Sequence, residues 1–594
     1  MDKENNDNQD NDRHDGPSGF HLQPISFDSK EPEGTPAPPA RSSISRSEAL
    51  PYTQLVELAD GQGSILFYPK QVELQVGDVL FLRERFPEEG AENEVVNQKS
   101  AGIAEQVKEN GVIVQVISLG TANYPQAITK ALFRLMVNVR ASVLERSHNE
   151  PPEVIDEFLR ATFKIRASIV DGAWNPPEGR VVTRNVDIFV LDPAILSEHI
   201  FEKVDGLNVN LGDYKEESVE FFGGGFEKIN LITGMKGSGK SHIAKGIISE
   251  SVDSGMSAIV FDINNEYQGL PNSYYFVPGQ DLRFRLDRVQ ARTFLEMVER
   301  IAPFAERTGL IAQAELPRVI RARADEPGHV PDLAYLRGQD MNIIPGVAPF
   351  FDSMRASFRS SLQVVERYNL IMTEEEALSE DRYMRAVRDG RETEPPNVVS
   401  LSSVLYNIEH GQGAGVIIFD IGGLQPFIQY TIVDLIIDTL KDICRRQTEA
   451  YREQRIVVPN YPTIYFEEAH MYMEPKVIDE LLPLIRHYGM NVFFITNTPG
   501  ALPNSVFRLM DNLIMTRMLN KHDIDQVKNC GLTDAETIEG FASNLREYYA
   551  LLLSGINGAT NNFPLVFHVR DFELPVSGET RSMWNAMMDS RQNG

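Results

Sequence analysis

Cysteine is almost missing from this 594-residue chain, which contains only Cys444 and Cys530. Two thiols cannot build a disulfide framework or a cysteine-ligated zinc site. Long apolar runs are missing as well: nothing approaches the roughly 18 consecutive apolar residues of a membrane-spanning helix. The N-terminus, MDKENNDNQDNDRHD, is acidic and polar. That is the opposite of a signal or transit peptide, so the cytoplasm is the expected compartment. Positive charge is in short supply, with 57 Lys and Arg against 85 Asp and Glu and a net charge of −28. A chain that wraps nucleic acid on its outside carries a basic face. Here any such contact would be confined, for instance to a pore lined by a few Lys and Arg residues. The alternative is that net acidity only keeps the chain soluble. The histidines, His470 and His487 among them, have no metal-ligand spacing, and no Ser/His/Asp nucleophile pattern stands out.

What is present is the composition of a globular protein, 42% hydrophobic and 24% charged, in a chain too long for one core. Residues 1–48 are rich in Asp, Asn, Ser and Pro, which predicts a disordered acidic tail. Residues 49–205 read as short strands punctuated by turns: 64–68, 78–82, 111–116, 162–167 and 186–191. That pattern predicts a small N-terminal β-barrel, interrupted by a helical piece around 127–137. From 206 the pattern changes to α/β. Apolar strand candidates at 229–233, 257–261, 415–419, 462–466 and 491–496 alternate with helical segments, as in a parallel sheet covered on both faces. The expected core therefore spans 206–284 and 400–575. Residues 285–399, with helical spacing at Thr293–Ile301 and Phe350–Tyr368, form an expected helical insertion. Strands return at 548–553 and 565–569, and 576–594 form a C-terminal tail.

The sharpest signal is Gly234-Met235-Lys236-Gly237-Ser238-Gly239-Lys240-Ser241, which fits the phosphate-binding pattern G-x-x-x-x-G-K-[ST]. A strand candidate precedes it and a helical pattern follows, the context that mechanism requires. Gly234, Gly237, Ser238 and Gly239 would let backbone N–H groups curl around phosphate oxygens at a helix N-terminus. Lys240 would reach the β- and γ-phosphates of ATP, and the Ser241 hydroxyl would meet Mg²⁺. Carboxylates follow at predicted strand ends. Glu467 is placed to hold Mg²⁺ through water, and Glu468 to orient or deprotonate the attacking water; the pair would also suit a helix start. Asp262 ends another strand, where ligands of open α/β sheets sit. Asp420 reads as a turn or cap residue. Asn497 would sense the γ-phosphate, or else simply turn the chain before Pro499.

These segments resemble the HerA-type ATPases of the HerA/FtsK superfamily. Glu467-Glu468-Ala469-His470 is similar to that family's D-E-A-H, Asp262 through Glu266-Tyr267 to its D-x-x-x-E-Y, Arg486-His487-Tyr488-Gly489 to part of its G-R-x-Y-G, and Thr496-Asn497-Thr498-Pro499 to its T-Q-R-P. The order of segments matches over about residues 50–575. The resemblance implies a RecA-like core and a homo-hexameric ring that threads double-stranded DNA using ATP. It further implies a partner effector, a nuclease or an NAD-consuming enzyme, in DNA repair or phage defence. By position it implies Asp262, Glu468 and Arg486 as catalytic or ring-communicating groups. The alternative is an ATPase scaffold that assembles and regulates its effector without processive movement. Glu467 stands where the family has Asp, Asn497 where it has Gln, and Lys228 where archaeal members carry an Arg that Lys cannot replace in bidentate contacts.

Overall fold

The computed structural model describes residues 49–84 except 52 and 60, 110–121, 158–170, 173–177, 186–339 except 305, 352–456 except 392 and 414, 459–554 and 563–574. The expected tails and the helical piece at 127–137 lie outside the described residues. Phe276–Gly413 with Asp434–Thr439 form one compact unit, and the remaining described residues form another.

The N-terminal part of the larger unit is a seven-stranded antiparallel sheet. Its strands are β1 (Thr53–Ala59), β2 (Gln62–Phe67), β3 (Val79–Glu84), β4 (Gly111–Thr121), β5 (Leu159–Val170), β6 (Ala173–Asn175) and β7 (Val186–Val190). The strand order is β1-β2-β5-β4-β3-β7, with β6 paired to β5. Val112, Val114, Val116, Phe163 and Leu82 meet in its core. Just before β1, the Leu50 N–H donates to the Ile188 carbonyl in β7 at 2.7 Å, so the two ends of the strand order approach each other.

After α1 (Pro193–Ile200), the strands β8 (Asn208–Tyr214) and β9 (Glu217–Phe222) form a hairpin. Then come β10 (Ile229–Thr233), α2 (Lys240–Asp253), β11 (Ala258–Asp262) and β12 (Ser273–Phe276). The smaller unit is helical. It carries α3 (Ala291–Ile301), α4 (Glu306–Ala324), α5 (Leu333–Gly338), α6 (Asp352–Glu366) and α7 (Glu374–Arg388), with a two-residue ladder between β13 (Leu282–Arg283) and β14 (Val399–Ser400). Thr373 begins α7 with a reciprocal capping box to Glu376, which satisfies two otherwise orphaned donors. Arg285 is buried among Asp287, Glu380 and Asp381. This buried ion group holds α7 within the unit.

The chain continues through β15 (Val416–Asp420), α8 (Pro426–Arg452), β16 (Thr463–Glu467), α9 (Pro475–Tyr488), β17 (Asn491–Thr496), β18 (Asn512–Met515), α10 (Ala535–Asn544), β19 (Tyr549–Ser554) and β20 (Leu565–Val569). The eleven-stranded sheet has the order β12-β15-β11-β16-β17-β10-β18-β19-β20-β8-β9. From β15 to β18 the pairings are parallel. From β18 to β9 they are antiparallel. Every residue of β10, β16 and β17 is buried, as expected for strands covered on both faces. The parallel register brings Thr233, Glu467, Thr496 and Met515 to the same end of the sheet. In open α/β sheets that carboxyl end is where ligands bind.

Candidate nucleotide site

The phosphate loop leaves β10 at its carboxyl end and closes on α2. Gly234, Gly237 and Gly239 have φ of 154°, 77° and 91°, values that side-chain-bearing residues rarely adopt. A Cβ at Gly234 would also overlap Thr516 Oγ1. The loop is fastened to the neighbouring strand. Met235 N–H donates to Arg517 O at 2.9 Å, and Ser238 Oγ lies 2.5 Å from Thr516 Oγ1. Thr516 gave no signal in the sequence, because its role arises only from β18 lying beside β10.

Lys240 opens α2 and is buried, with Nζ donating to Met235 O at 2.9 Å. Burial lowers its pKa, and the carboxylates of Glu468, Glu266 and Glu467 work against that shift. A phosphate in the loop would favour the charged form further. A second buried lysine, Lys245, lies 5.9 Å from the centre of the Tyr267 ring. Burial lowers its pKa too, opposed by Glu266 and Asp262. The sequence reading did not single out this residue.

Glu468 is the residue that β16 releases at the site. Its backbone is left-handed, φ 48° and ψ 47°, an uncommon state for a residue with a side chain. The carboxylate is gripped from β17: Thr496 Oγ1 donates to Oε2 at 2.6 Å, and Asn497 donates to Oε1 from its backbone N at 3.0 Å and from Nδ2 at 2.7 Å. Asn497 thus holds the carboxylate, and its own Oδ1 is buried with no partner among the described residues. His470 Nδ1 stands 3.5 Å from Glu468 Oε2.

Asp262 is fully buried and accepts N–H bonds from Asn264, Glu266 and Tyr267 at 3.3, 3.1 and 3.0 Å. Burial raises its pKa despite those bonds. Burial also drives Glu467 well above the usual carboxylate range, reinforced by Glu266 and Asp262. Two adjoining buried acids that both resist ionisation, one with Oε2 unpartnered, suit a place opposite a divalent cation, which reverses the local preference. Among the described residues, no three His, Cys, Asp or Glu side chains are grouped to hold a metal unaided. These residues fit an Mg²⁺ that would arrive with the nucleotide, for which Ser241 and Glu467 are the candidate ligands.

Asp420 behaves as a turn residue, accepting from Gly422 N at 3.0 Å. The backbone of Arg486 stands apart from the others. It lies in the last turn of α9, which leads into Asn491 at the start of β17, the end of the sheet opposite the phosphate loop of its own chain. Lys228 likewise precedes β10 and sits at that far end.

Residues 226–440 match the family described as helicase HerA, central domain. Among solved structures, VirB4 of Thermoanaerobacter pseudethanolicus is 13% identical with a TM-score of 0.35, covering 62% of this chain and 98% of its own. The bacterial conjugative coupling protein TrwB is 11% identical with a TM-score of 0.38, covering 65% and 93%. The genome packaging NTPase B204 from Sulfolobus turreted icosahedral virus 2 is 11% identical with a TM-score of 0.28, covering 58% and 98%. Likenesses this weak carry no argument about activity. No curated protein matches the chain. The segment holding the phosphate loop and Asp262 is thus the part of the chain that is similar to the HerA central domain.

Proposed function

We propose that the protein is an ATP hydrolase that works as a homo-hexameric ring, translocating on double-stranded DNA in partnership with an effector enzyme. One observation carries the reading: a phosphate loop with a buried Lys240 faces Glu468, which is fixed by donors from the next parallel strand. In this reading the core is RecA-like, and the N-terminal sheet closes as a barrel through Leu50 and Ile188.

Lys240 and the loop N–H groups bind the triphosphate and stabilise charge on the transferred phosphoryl. Glu468 orients the attacking water and takes its proton. Thr496 and Asn497 set its direction. Ser241 and Glu467 would hold Mg²⁺, which would supply positive charge against the charge that develops on the phosphoryl group. Asp262 holds the turn that carries Glu266 and Tyr267, and adjoins Glu467. Arg486, remote from its own loop, would serve a neighbouring subunit. Net acidity leaves DNA to a confined, locally basic channel. No described helix is long and apolar enough to cross a membrane.

The test is phosphate release with and without duplex DNA, together with displacement of a triplex strand. DNA-stimulated turnover with displacement supports the motor. Turnover without displacement, while an effector still assembles, would favour a scaffold instead.

A further inference from the structure

A glycine sits in the middle of the phosphate-loop helix, where helix propensity argues against it. Gly246 in α2 is buried, and glycine in a helix interior costs about 0.5–1 kcal/mol against alanine. The reason lies in the segment after β20. Phe572 lays its ring directly over Gly246, so that a Cβ there would overlap three ring carbons. The same segment touches α2 one turn to either side. Arg570 O faces His242 Nε2 at 3.0 Å, and Arg570 Nη1 pairs with Glu250 Oε1 at 2.9 Å. His242, Gly246 and Glu250 lie at every fourth position and therefore on one helix face. Residues 570–572 form a strap seated along that face. Arg570 is itself fixed by donating its N–H to Leu211 O at 3.1 Å.

His242 directly follows Ser241, so the strap begins where the phosphate cradle ends. A nucleotide in this loop has a fixed polarity. Its γ-phosphate points to Lys240 and the carboxylates, and its α-phosphate to the first turn of α2. The uncharged half of the nucleotide must leave on the side away from the acids, past His242. There it meets two groups suited to a flat aromatic ring. The Arg570 guanidinium already lies 5.2 Å from the centre of the Phe572 ring, and its side chain is 42% exposed. The guanidinium is therefore partly covered by Phe572 and Glu250 and partly exposed, and its exposed part can stack on a flat ring. His242, half-buried with its ring 5.2 Å from that of Phe572, meets the strap through Nε2, which lies 3.0 Å from the Arg570 carbonyl and 3.5 Å from the Phe572 N–H.

We propose that His242, Arg570 and Phe572 form the nucleobase subsite, in which a purine stacks on the Arg570 guanidinium backed by Phe572 and borders His242. This rests on the nucleotide-binding reading above.

The experiment compares binding of ATP and of inorganic tripolyphosphate, each with Mg²⁺, to the full chain by calorimetry. Wild type is expected to bind both, and Lys240→Ala neither. Arg570→Ala and His242→Ala should weaken ATP about tenfold, the scale of one lost stacking contact, and leave tripolyphosphate unchanged. Phe572→Leu keeps an apolar plug over Gly246 and should show the same selective loss. An equal weakening of both ligands would make the strap a support for the helix and overturn the proposal, as would no weakening of ATP. If the wild type binds neither ligand, the phosphate-loop reading itself fails, a distinct result.

Discussion

The parallel strands at the site and the antiparallel sheet near the N-terminus use buried polar groups in opposite ways. In the parallel region, Lys240, Asp262, Glu467 and Glu468 are buried at one strand end without being neutralised in pairs. Their pKa values are displaced or their oxygens gripped for work on a ligand. In the N-terminal sheet, buried polar groups close on one another. Gln115 donates to Pro564 O at 2.5 Å and accepts from Arg166 Nε at 3.1 Å, while Arg166 also bonds Thr537 in α10 at 3.0 Å. Lys164 pairs with Asp534 and Glu536 at 3.4 and 2.7 Å. Frustrated charge marks the chemistry, and satisfied charge marks the joint.

The contrast breaks most visibly at Lys240. Lys240→Ala should cut ATP hydrolysis by a factor of ~100 or more, because the ammonium acts on charge present mainly in the transition state. Near-normal phosphate release from a folded variant would remove Lys240 from the chemistry. Glu468→Gln comes next. It should retain ATP affinity while lowering turnover by about 100-fold, since an amide cannot accept the proton. Glu467→Gln should mainly raise the Mg²⁺ concentration needed for half-maximal rate. If the glutamine at 467 stops hydrolysis with Mg²⁺ dependence unchanged, the two roles are reversed.

Arg486 sharpens the comparison between chains. Arg486→Ala should keep ATP binding and assembly but slow hydrolysis, and mixing with Lys240→Ala protomers should restore part of it. Mixed assemblies with verified subunit exchange and no recovery would speak against action on a neighbour.

On the structural side, Gly246→Ala should destabilise the fold by about 1–3 kcal/mol through overlap with Phe572, as overpacked cores do. A rise in melting temperature would show that the ring yields. The smallest effect concerns Asp534, the N-cap of α10. Burial pushes its carboxyl up, but the Thr537 bonds and the Lys164 and Arg166 charges outweigh it, and the pKa is lowered. A depressed folded value contributes stability above the unfolded pKa of about 4, lost as pH falls through the folded value. The stability gap between wild type and Asp534→Asn should therefore shrink as pH is lowered below about 4. A constant gap would assign the effect to lost hydrogen bonds alone.

Five of the six parallel strands were legible in the sequence within a residue, at 229–233 and 491–496 without error, because strands buried on both faces are continuous apolar runs; β18 was not among them. The β8–β9 hairpin went unassigned, since its turn uses Lys215 and Glu216 at φ 48° and 72°, where glycine or asparagine would have announced it. The helix α3 was legible from apolar spacing at 293–301.

At the candidate site, the sequence by itself marked the phosphate loop and the carboxylates at the strand ends. The phosphate loop is a contiguous motif, and a strand must end where its apolar run gives way to carboxylates. Only the tertiary structure decided what each group touches. It turned Asn497 onto Glu468, placed Thr516 against the loop, and set Arg486 at the far end of the sheet. It also brought Phe572 onto Gly246, more than three hundred positions away in the chain. Those contacts follow from strand order and register, which no local periodicity encodes.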